Sequence, residues 1–393
     1  MEPPGRRRQQ ANPMKYAGIL RIGYKLLVND RAKFSALLVG ITFSVFLMMQ
    51  MTAMFAGILN RAHSTVTNIG APMWIIDPAV NTPTVVIPLP DYLLDAVRSM
   101  KQVEYAVPIF IGNAQVRLSN GTYQAVSVIG LDDTSLFGRP ALEQGAIEDI
   151  YAENAFIMVH DTEFSKLGNP VIGTTFELND HRGTIVGIAK VLVGGLTGVP
   201  TLYTTYRRAI EYIPTTRFTV SYILLKPRNK QAIAQIKQQV AQLGYVALTR
   251  AEFNQRIANY YIYQTGVGTN ILTMTVISFL VGLSISGQTF YSFILENLDK
   301  FAALKAIGAK SRELVYMILF MAMFTAMTGY GLGVGLVTLM IALARTYLPN
   351  YAAIVTYWNL GLAFGLVLLI AGFSSYLGIR KVLRIEPFDI FRG

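Results

Sequence analysis

The sequence predicts a membrane α-helical fold of four transmembrane helices in a 1+3 topology, with one large extracytoplasmic mixed α/β domain. Three observations carry this reading. Of the 393 residues, 52% are hydrophobic and only 15% charged, against about 25% charged in an average soluble domain; mean hydropathy is +0.41. Four apolar runs are long enough to span a bilayer, which needs about 20 residues. The formal charge of +11 is concentrated in short segments beside those runs.

In chain order, residues 1–13 offer Pro3, Pro4 and an arginine triplet but nothing to pack, and are expected to be a disordered basic N-terminus. In residues 14–33, Ile19, Leu20, Ile22, Leu26 and Leu27 alternate with Arg21 and Lys25. That pattern suits an amphipathic helix on the cytoplasmic membrane surface, near anionic lipid, with a break at Asn29-Asp30. A plain basic flank that aids insertion is the alternative. Residues 34–59 form the first span, without a charge. It is too long and too far from the start for a cleaved signal peptide, and no A-x-A site follows, so it is expected to remain as an anchor.

Residues 60–267 read as an outer α/β domain with a stalk. Strands are expected at 108–118, 123–129, 155–159, 174–178, 184–193 and 221–225. The first two join across Asn120-Gly121, a dipeptide that favours a two-residue type I′ turn because both central residues need positive φ. Ile233, Ile236, Val240 and Leu243 recur at helical spacing, predicting a helix over 229–243 that stops at Gly244. A second helix over 251–263 leads almost directly into the next span, as a straight lever would. The remaining spans are residues 268–295, 314–343 and 358–379, with a cytoplasmic segment at 296–313 and a tail at 380–393.

Orientation follows from the basic residues. Eight precede Phe34, opposed only by Glu2 and Asp30. Lys300, Lys305, Lys310 and Arg312 lie between spans two and three, and Arg380, Lys381, Arg384 and Arg392 follow span four. All three segments are therefore placed in the cytoplasm. The outer segment has 17 basic and 16 acidic residues. The positive excess is thus topological and does not mark a nucleic-acid partner.

Several chemistries are excluded. There is no cysteine, hence no disulfide, CxxC or cysteine–zinc site. No GxxxxGK[ST] loop, GxSxG or HExxH occurs. His63, His160 and His181 are scattered, and Asp132-Asp133 lies in a stretch that reads as a turn or cap. No Asp or Glu sits inside a span before Glu296, which argues against a proton-driven transporter. We expect no catalytic residue, no metal and no cofactor on this chain.

Small residues recur at four-residue spacing in the later spans: Ser278/Gly282/Ser286, Gly329/Gly333, Gly331/Gly335 and Gly361/Gly365. Such spacing lets helix backbones approach closely in lipid, within one protomer or between two, although glycine is also common in membrane helices generally. Met48, Met49, Met51 and Met54 lie in span one beside Phe43, Phe46 and Phe55. Phe46, Met49, Met54 and Phe55 could form an adaptable wall for a lipid-like substrate. The same residues would equally face lipid or pack on span two.

The cytoplasmic segment places Phe301, Leu304 and Ile307 on one helical face and stops at Gly308. It suits docking of another protein, or rest on lipid headgroups. Here the chain resembles a known family: Phe301-Ala-Ala-Leu-Lys-Ala-Ile-Gly-Ala-Lys310 is similar to the E-x-A-x-L-K-A-I-G-A segment of FtsX-like permeases, the membrane subunits of type VII (MacB-like) ABC transporters. The 1+3 order, the basic N-terminal helix and the ending Ile385-Glu-Pro-Phe-Asp-Ile-Phe-Arg392 agree with it. Asn29-Asp-Arg-Ala-Lys-Phe34, Leu38-Val-Gly-Ile-Thr-Phe-Ser44 and Met49-Gln50 resemble the first span of DevC-type permeases.

The resemblance implies a homodimeric, non-catalytic permease in a bacterial inner membrane. Its partner would be a separate ABC ATPase that binds ATP and Mg, docked on Phe301, Leu304, Lys305, Ala306, Ile307, Gly308 and Ala309. ATP-driven tilting of the stalks, termed mechanotransmission, would move a lipid-like or other amphiphilic substrate on the periplasmic side. A periplasmic adaptor protein and a TolC-like outer-membrane duct would receive it. Relatives that relay ATPase state to a cell-wall hydrolase supply the alternative, though their outer domains are usually much smaller.

Overall fold

The computed structural model describes residues 13–118, 121–196, 198–213, 219–348 and 350–384. The predicted disordered segment up to residue 12, Asn120 and the tail motif from Ile385 lie outside the described residues. The chain divides into two compact units: Met1–Ala56 with Asn270–Tyr347 and Ala353–Gly393, and Gly57–Thr269 with Leu348–Ala352.

The first unit is helical. Helix α1 (Pro13–Asn29) is followed after one residue by α2 (Arg31–Ala62). The break falls at Asp30, whose Oδ1 accepts from the Lys33 amide over 3.2 Å and so caps α2. Helix α1 packs against the third span rather than resting only on lipid: Tyr24 meets Phe324 edge-on at 5.2 Å. Later come the long helices α8 (Val267–Glu296), α10 (Ser311–Tyr347) and α11 (Tyr357–Leu383), with the short α9 (Leu298–Ala306) between the first two. α2, α8, α10 and α11 are long and apolar enough to cross a membrane. They overrun the hydrophobic stretches, and side-chain caps mark some of their starts. At the start of α11, for instance, Thr356 Oγ1 accepts from the Asn359 amide.

The second unit is built on a ten-stranded mixed sheet: β1 (Met73–Ile76), β2 (Val103–Arg117), β3 (Tyr123–Leu131), β4 (Ala141–Gln144), β5 (Ala155–Val159), β6 (Thr175–Leu178), β7 (His181–Lys190), β8 (Thr201–Thr205), β9 (Tyr222–Pro227) and β10 (Val246–Thr249). Strand order is β10-β1-β9-β2-β3-β8-β5-β7-β4, with β6 paired to β2 and β7. The β3/β8 and β5/β7 pairs are parallel and the other pairs antiparallel. Helices α3 (Ser64–Ile69), α4 (Asp91–Arg98), α5 (Tyr206–Tyr212), α6 (Ala232–Gln242) and α7 (Arg250–Asn259) cover it.

Both faces of the central strands are buried. Trp74 and Tyr222 point to one side, where Trp74 also meets Phe253 of α7 at 5.6 Å. Met73, Ile75 and Ile223 point to the other, packed with Leu93 and Val97 of α4 and Ile236 and Val240 of α6.

The turn expected at Asn120-Gly121 falls partly outside the described residues; on its flanks Leu118 donates to the Thr122 carbonyl, and Gly121 sits at φ +81°. Some local expectations are corrected. The stalk is not a continuous helix. α7 gives way to a π-helical turn at Tyr260–Gln264, and the chain then passes through Gly266 at φ +73° before α8 begins. No α-helix continues through a residue in that conformation. The helix expected from 229 starts at Ala232, because Asn229 Oδ1 accepts from the Ala232 amide and delays entry into the helix.

Candidate coupling site and helix interfaces

The corner from α8 into α9 is made by Asn297, which is buried. Its amide donates to the Phe293 carbonyl and its oxygen accepts from Lys300 Nζ, both at 2.8 Å. Next to it, Lys33 at the start of α2 pairs with Glu296 at the end of α8.

Helix α9 ends in a Schellman motif, and this explains the glycine within the Leu304–Ala309 sequence. Gly308 adopts φ +103°, a conformation that L side chains avoid. The Gly308 amide bonds the Lys305 carbonyl at 3.1 Å and the Ala309 amide bonds Leu304 at 2.9 Å, the paired bonds that define the motif. After it, Glu313 Oε2 accepts from the Lys310 amide at 3.0 Å and starts α10.

The predicted docking set is divided by this geometry. Phe301 is fully buried and anchors α9 within its own unit, as does Ala302. Leu304, Lys305 and Ala309 are half-buried, while Ala306 and Gly308 are exposed. Ile307 is 86% exposed. Ile307, held in the open by this cap, is the large apolar side chain of the set that a partner can reach.

The small-residue sets are divided too. Ser278, Gly282 and Ser286 are buried, and Ser44 donates to the Ser278 carbonyl at 2.8 Å. Gly329 and Gly333 lie against Ile41 and Val45 of α2, where an added Cβ would come within 2.6 Å of each side chain. Gly331, Gly335, Gly361 and Gly365 have open space around them. The contact face is therefore internal for one pair and outward for the others. The methionine wall is corrected in the same way. Met48 and Met49 are fully buried in the bundle, Phe46 and Phe55 are half-buried, and Met54 is exposed. Met49 is packing, and only Met54 of the named methionines is on an open face.

Two family models match the chain. Residues 272–387 match the FtsX-like permease C-terminal model, and residues 35–243, more than half of the chain, match the MacB-like periplasmic core domain. The chain belongs to the MacB/FtsX-type ABC transporter permeases. An uncharacterised ABC transporter permease of Mycobacterium tuberculosis (strain CDC 1551 / Oshkosh) is 25% identical over 361 residues, covering 89% of this chain and 94% of that one. A protein of Staphylococcus haemolyticus (strain JCSC1435) named as the hemin transport system permease HrtB is 24% identical over 165 residues. That match covers 42% of this permease and spans 43% of the relative's length.

Among solved structures, the periplasmic region of MacB from Actinobacillus actinomycetemcomitans aligns at 14% identity and TM-score 0.37, covering 49% of this chain and 96% of that one. The extracellular domain of the noncanonic ABC-type transporter YknZ from Gram-positive bacteria aligns at 11% and 0.35, covering 46% and 99%.

As an ABC transporter permease, the chain has an ATPase for a partner. The titratable groups singled out in the sequence serve the permease's architecture. Asp132 Oδ2 accepts from the amide and hydroxyl of Ser135, closing a turn, and Asp133 accepts from the Arg207 amide at the start of α5. His160 pairs with Glu143 at 2.8 Å, and His181 stacks on Tyr212. Sequence reasoning missed Arg208, which donates to the carbonyls of Ile150, Ala152 and Ala155 and to Thr204 Oγ1. Its i,i+4 spacing from Thr204 is visible in the sequence, but the carbonyls it binds are more than fifty residues away.

Proposed function

We propose that this permease is the non-catalytic membrane subunit of an ABC exporter. It works as a homodimer in a bacterial inner membrane and couples to an ATPase through the end of α9. ATP and Mg bind on that ATPase. The observation that carries the reading is Ile307, held in the open by the Schellman cap while Phe301 anchors the same helix inward. Closure of the ATPases pulls on α9, and the load passes through the Asn297 corner into α8. Substrate is handled at the outer domain, is lipid-like or otherwise amphiphilic, and passes to an adaptor and a TolC-like duct. The first span resembles that of DevC-type permeases, which are associated with glycolipid export, and this supports that substrate class.

The test is purification in mild detergent with mass spectrometry of bound proteins and lipids, repeated with Leu304→Asp/Ile307→Asp. An ATPase should co-purify with the native permease and be lost from the double variant. Retention of the ATPase on the variant would overturn the docking assignment. Recovery of a cell-wall hydrolase, and no adaptor, would favour regulation over export.

A further inference from the structure

A serine or threonine buried in a helix ordinarily turns its hydroxyl back to its own backbone. Thr275 donates to the Ile271 carbonyl at 2.8 Å, Ser278 to Met274 at 2.7 Å, Thr325 to Met321 at 2.7 Å and Ser375 to Gly372 at 2.9 Å. Two hydroxyls in the same helices depart from this rule. Ser286 of α8 and Ser374 of α11 are only 1% and 4% exposed, yet neither Oγ has a hydrogen-bond partner among the described residues. Inside an apolar bundle an unpaired hydroxyl costs free energy that no lipid chain can return.

Both serines line one small cavity within the helical unit, and Thr325 of α10 adds a third hydroxyl. The rest of the wall is apolar, with Leu37 and Ile41 of α2, Phe290 of α8 and Ile370 of α11. The helices approach closely here. A Cβ at Gly287 of α8 would stand 3.9 Å from Ser374 Oγ, and one at Gly40 of α2 would stand 3.9 Å from Ser286 Oγ. The cavity has a volume of about 10 Å³, room for one water and for nothing larger. None of its described lining residues is charged, so a metal cation would lack the carboxylates it takes as ligands. Thr325 has given its hydrogen to Met321, but its oxygen can still accept. Three hydroxyls thus offer a water the roughly three hydrogen bonds that buried waters usually make.

We propose that one water molecule is a constitutive part of the bundle, bridging Ser286, Thr325 and Ser374 and so tying α8 to α10 and α11. Helix α8 runs on into the Asn297 corner, so the bridge steadies the helix that leads to α9. It does not depend on what docks there.

The test uses the full-length permease in lipid nanodiscs. A cryo-electron microscopy map that resolves ordered water elsewhere on the protein should show a peak within hydrogen-bonding distance, about 2.5–3.0 Å, of both serine Oγ atoms. Thermal melting then compares Ser286→Ala, Ser374→Ala and the double variant. Each single substitution takes one bond from the water and should lower the midpoint by about 2–4 °C. The double variant should fall by less than the sum of the two shifts, because the same water is lost in each. Without the water the sign reverses, since removing an unpaired buried hydroxyl leaves the midpoint unchanged or raises it. The map is made on the native protein, so the result does not depend on the variants folding. No peak in such a map, single variants that melt at or above the native temperature, or additive shifts in the double variant would overturn the assignment.

Discussion

The Ser44 hydroxyl donates to the Ser278 carbonyl across the α2–α8 contact at 2.8 Å, and Gly282, one turn farther along α8, leaves Ser44 the space to do so. A Cβ at Gly282 would collide with the Ser44 side chain. In lipid such close approach supplies the packing that holds helices together. Gly282→Val should therefore destabilise the bundle by ~1–3 kcal/mol, the usual range for overpacking. Gly331→Val, with open space around it, should not. Thermal denaturation in detergent, followed by size exclusion, compares the two.

Phe301 and Ile307 are expected to separate stability from coupling. Phe301→Ala removes a fully buried ring and should cost about 3–5 kcal/mol. Ile307→Asp changes an exposed side chain, so the melting temperature should hold while ATPase co-purification is lost. Equal loss of stability in both would mean that Ile307 is packed in the protein as it exists.

The long apolar runs were legible because length and hydropathy suffice to identify them, and the LKAIGA segment was legible as a helix stop because it carries the glycine that a left-handed cap requires. What that reading could not supply is which residues of the segment face inward. Phe301 and Ile307 look alike in sequence, and only the packing of the bundle separates them. The strand Met73–Ile76 was invisible for a different reason. All four residues are buried, so no alternation marks a strand, and its partners Tyr222–Pro227 and Val246–Thr249 lie far along the chain. The cavity is likewise assembled from residues spread over 37–374, a juxtaposition that no local pattern encodes.

Arg208 should be a structural clamp. Its guanidinium satisfies three carbonyls and a hydroxyl at 2.7–3.1 Å, and their loss should cost about 2–3 kcal/mol. Arg208→Lys should recover only part of this, since an ammonium is a compact point charge without the planar fork that reaches several acceptors. Urea titration of the native protein, Arg208→Lys and Arg208→Met should rank their stability in that order.

His63 should make the outer domain acid-sensitive. Burial lowers its pKa, opposed by a hydrogen bond to the Asn254 backbone, and its Nε2 is buried without a partner. A histidine whose folded pKa is depressed stays neutral while the unfolded chain takes up a proton. Stability is therefore lost as pH falls through the ordinary histidine value of about 6.5. Native protein should melt lower at pH 5 than at pH 7.5, and His63→Gln should shrink that difference. An unchanged difference would assign the sensitivity elsewhere.

Gly266 sets the shape of the connection between α7 and α8. Neither family model covers residues 244–271, and within that gap α7 is started by a capping box between Thr249 and Glu252, gives way to a π-helical turn at Tyr260–Gln264, and is followed by Gly266 at φ +73°. Just beyond, Gly268 lies so close to the Ile262 backbone that a Cβ has no room. A straight lever is ruled out by this geometry, so any motion passed from α8 to α7 crosses a joint whose shape two glycines determine. Gly266→Ala should cost ~1–2 kcal/mol, the usual penalty of a left-handed L residue. Gly268→Ala should cost more, because the obstruction is backbone. If the joint transmits the stroke, Gly266→Ala should uncouple the machine: ATP hydrolysis by the bound ATPase continues while export, or substrate-stimulated turnover in nanodiscs, falls. ATPase binding should be unaffected, since α9 is untouched. Normal export by a folded Gly266→Ala protein would show that the joint is a passive connection.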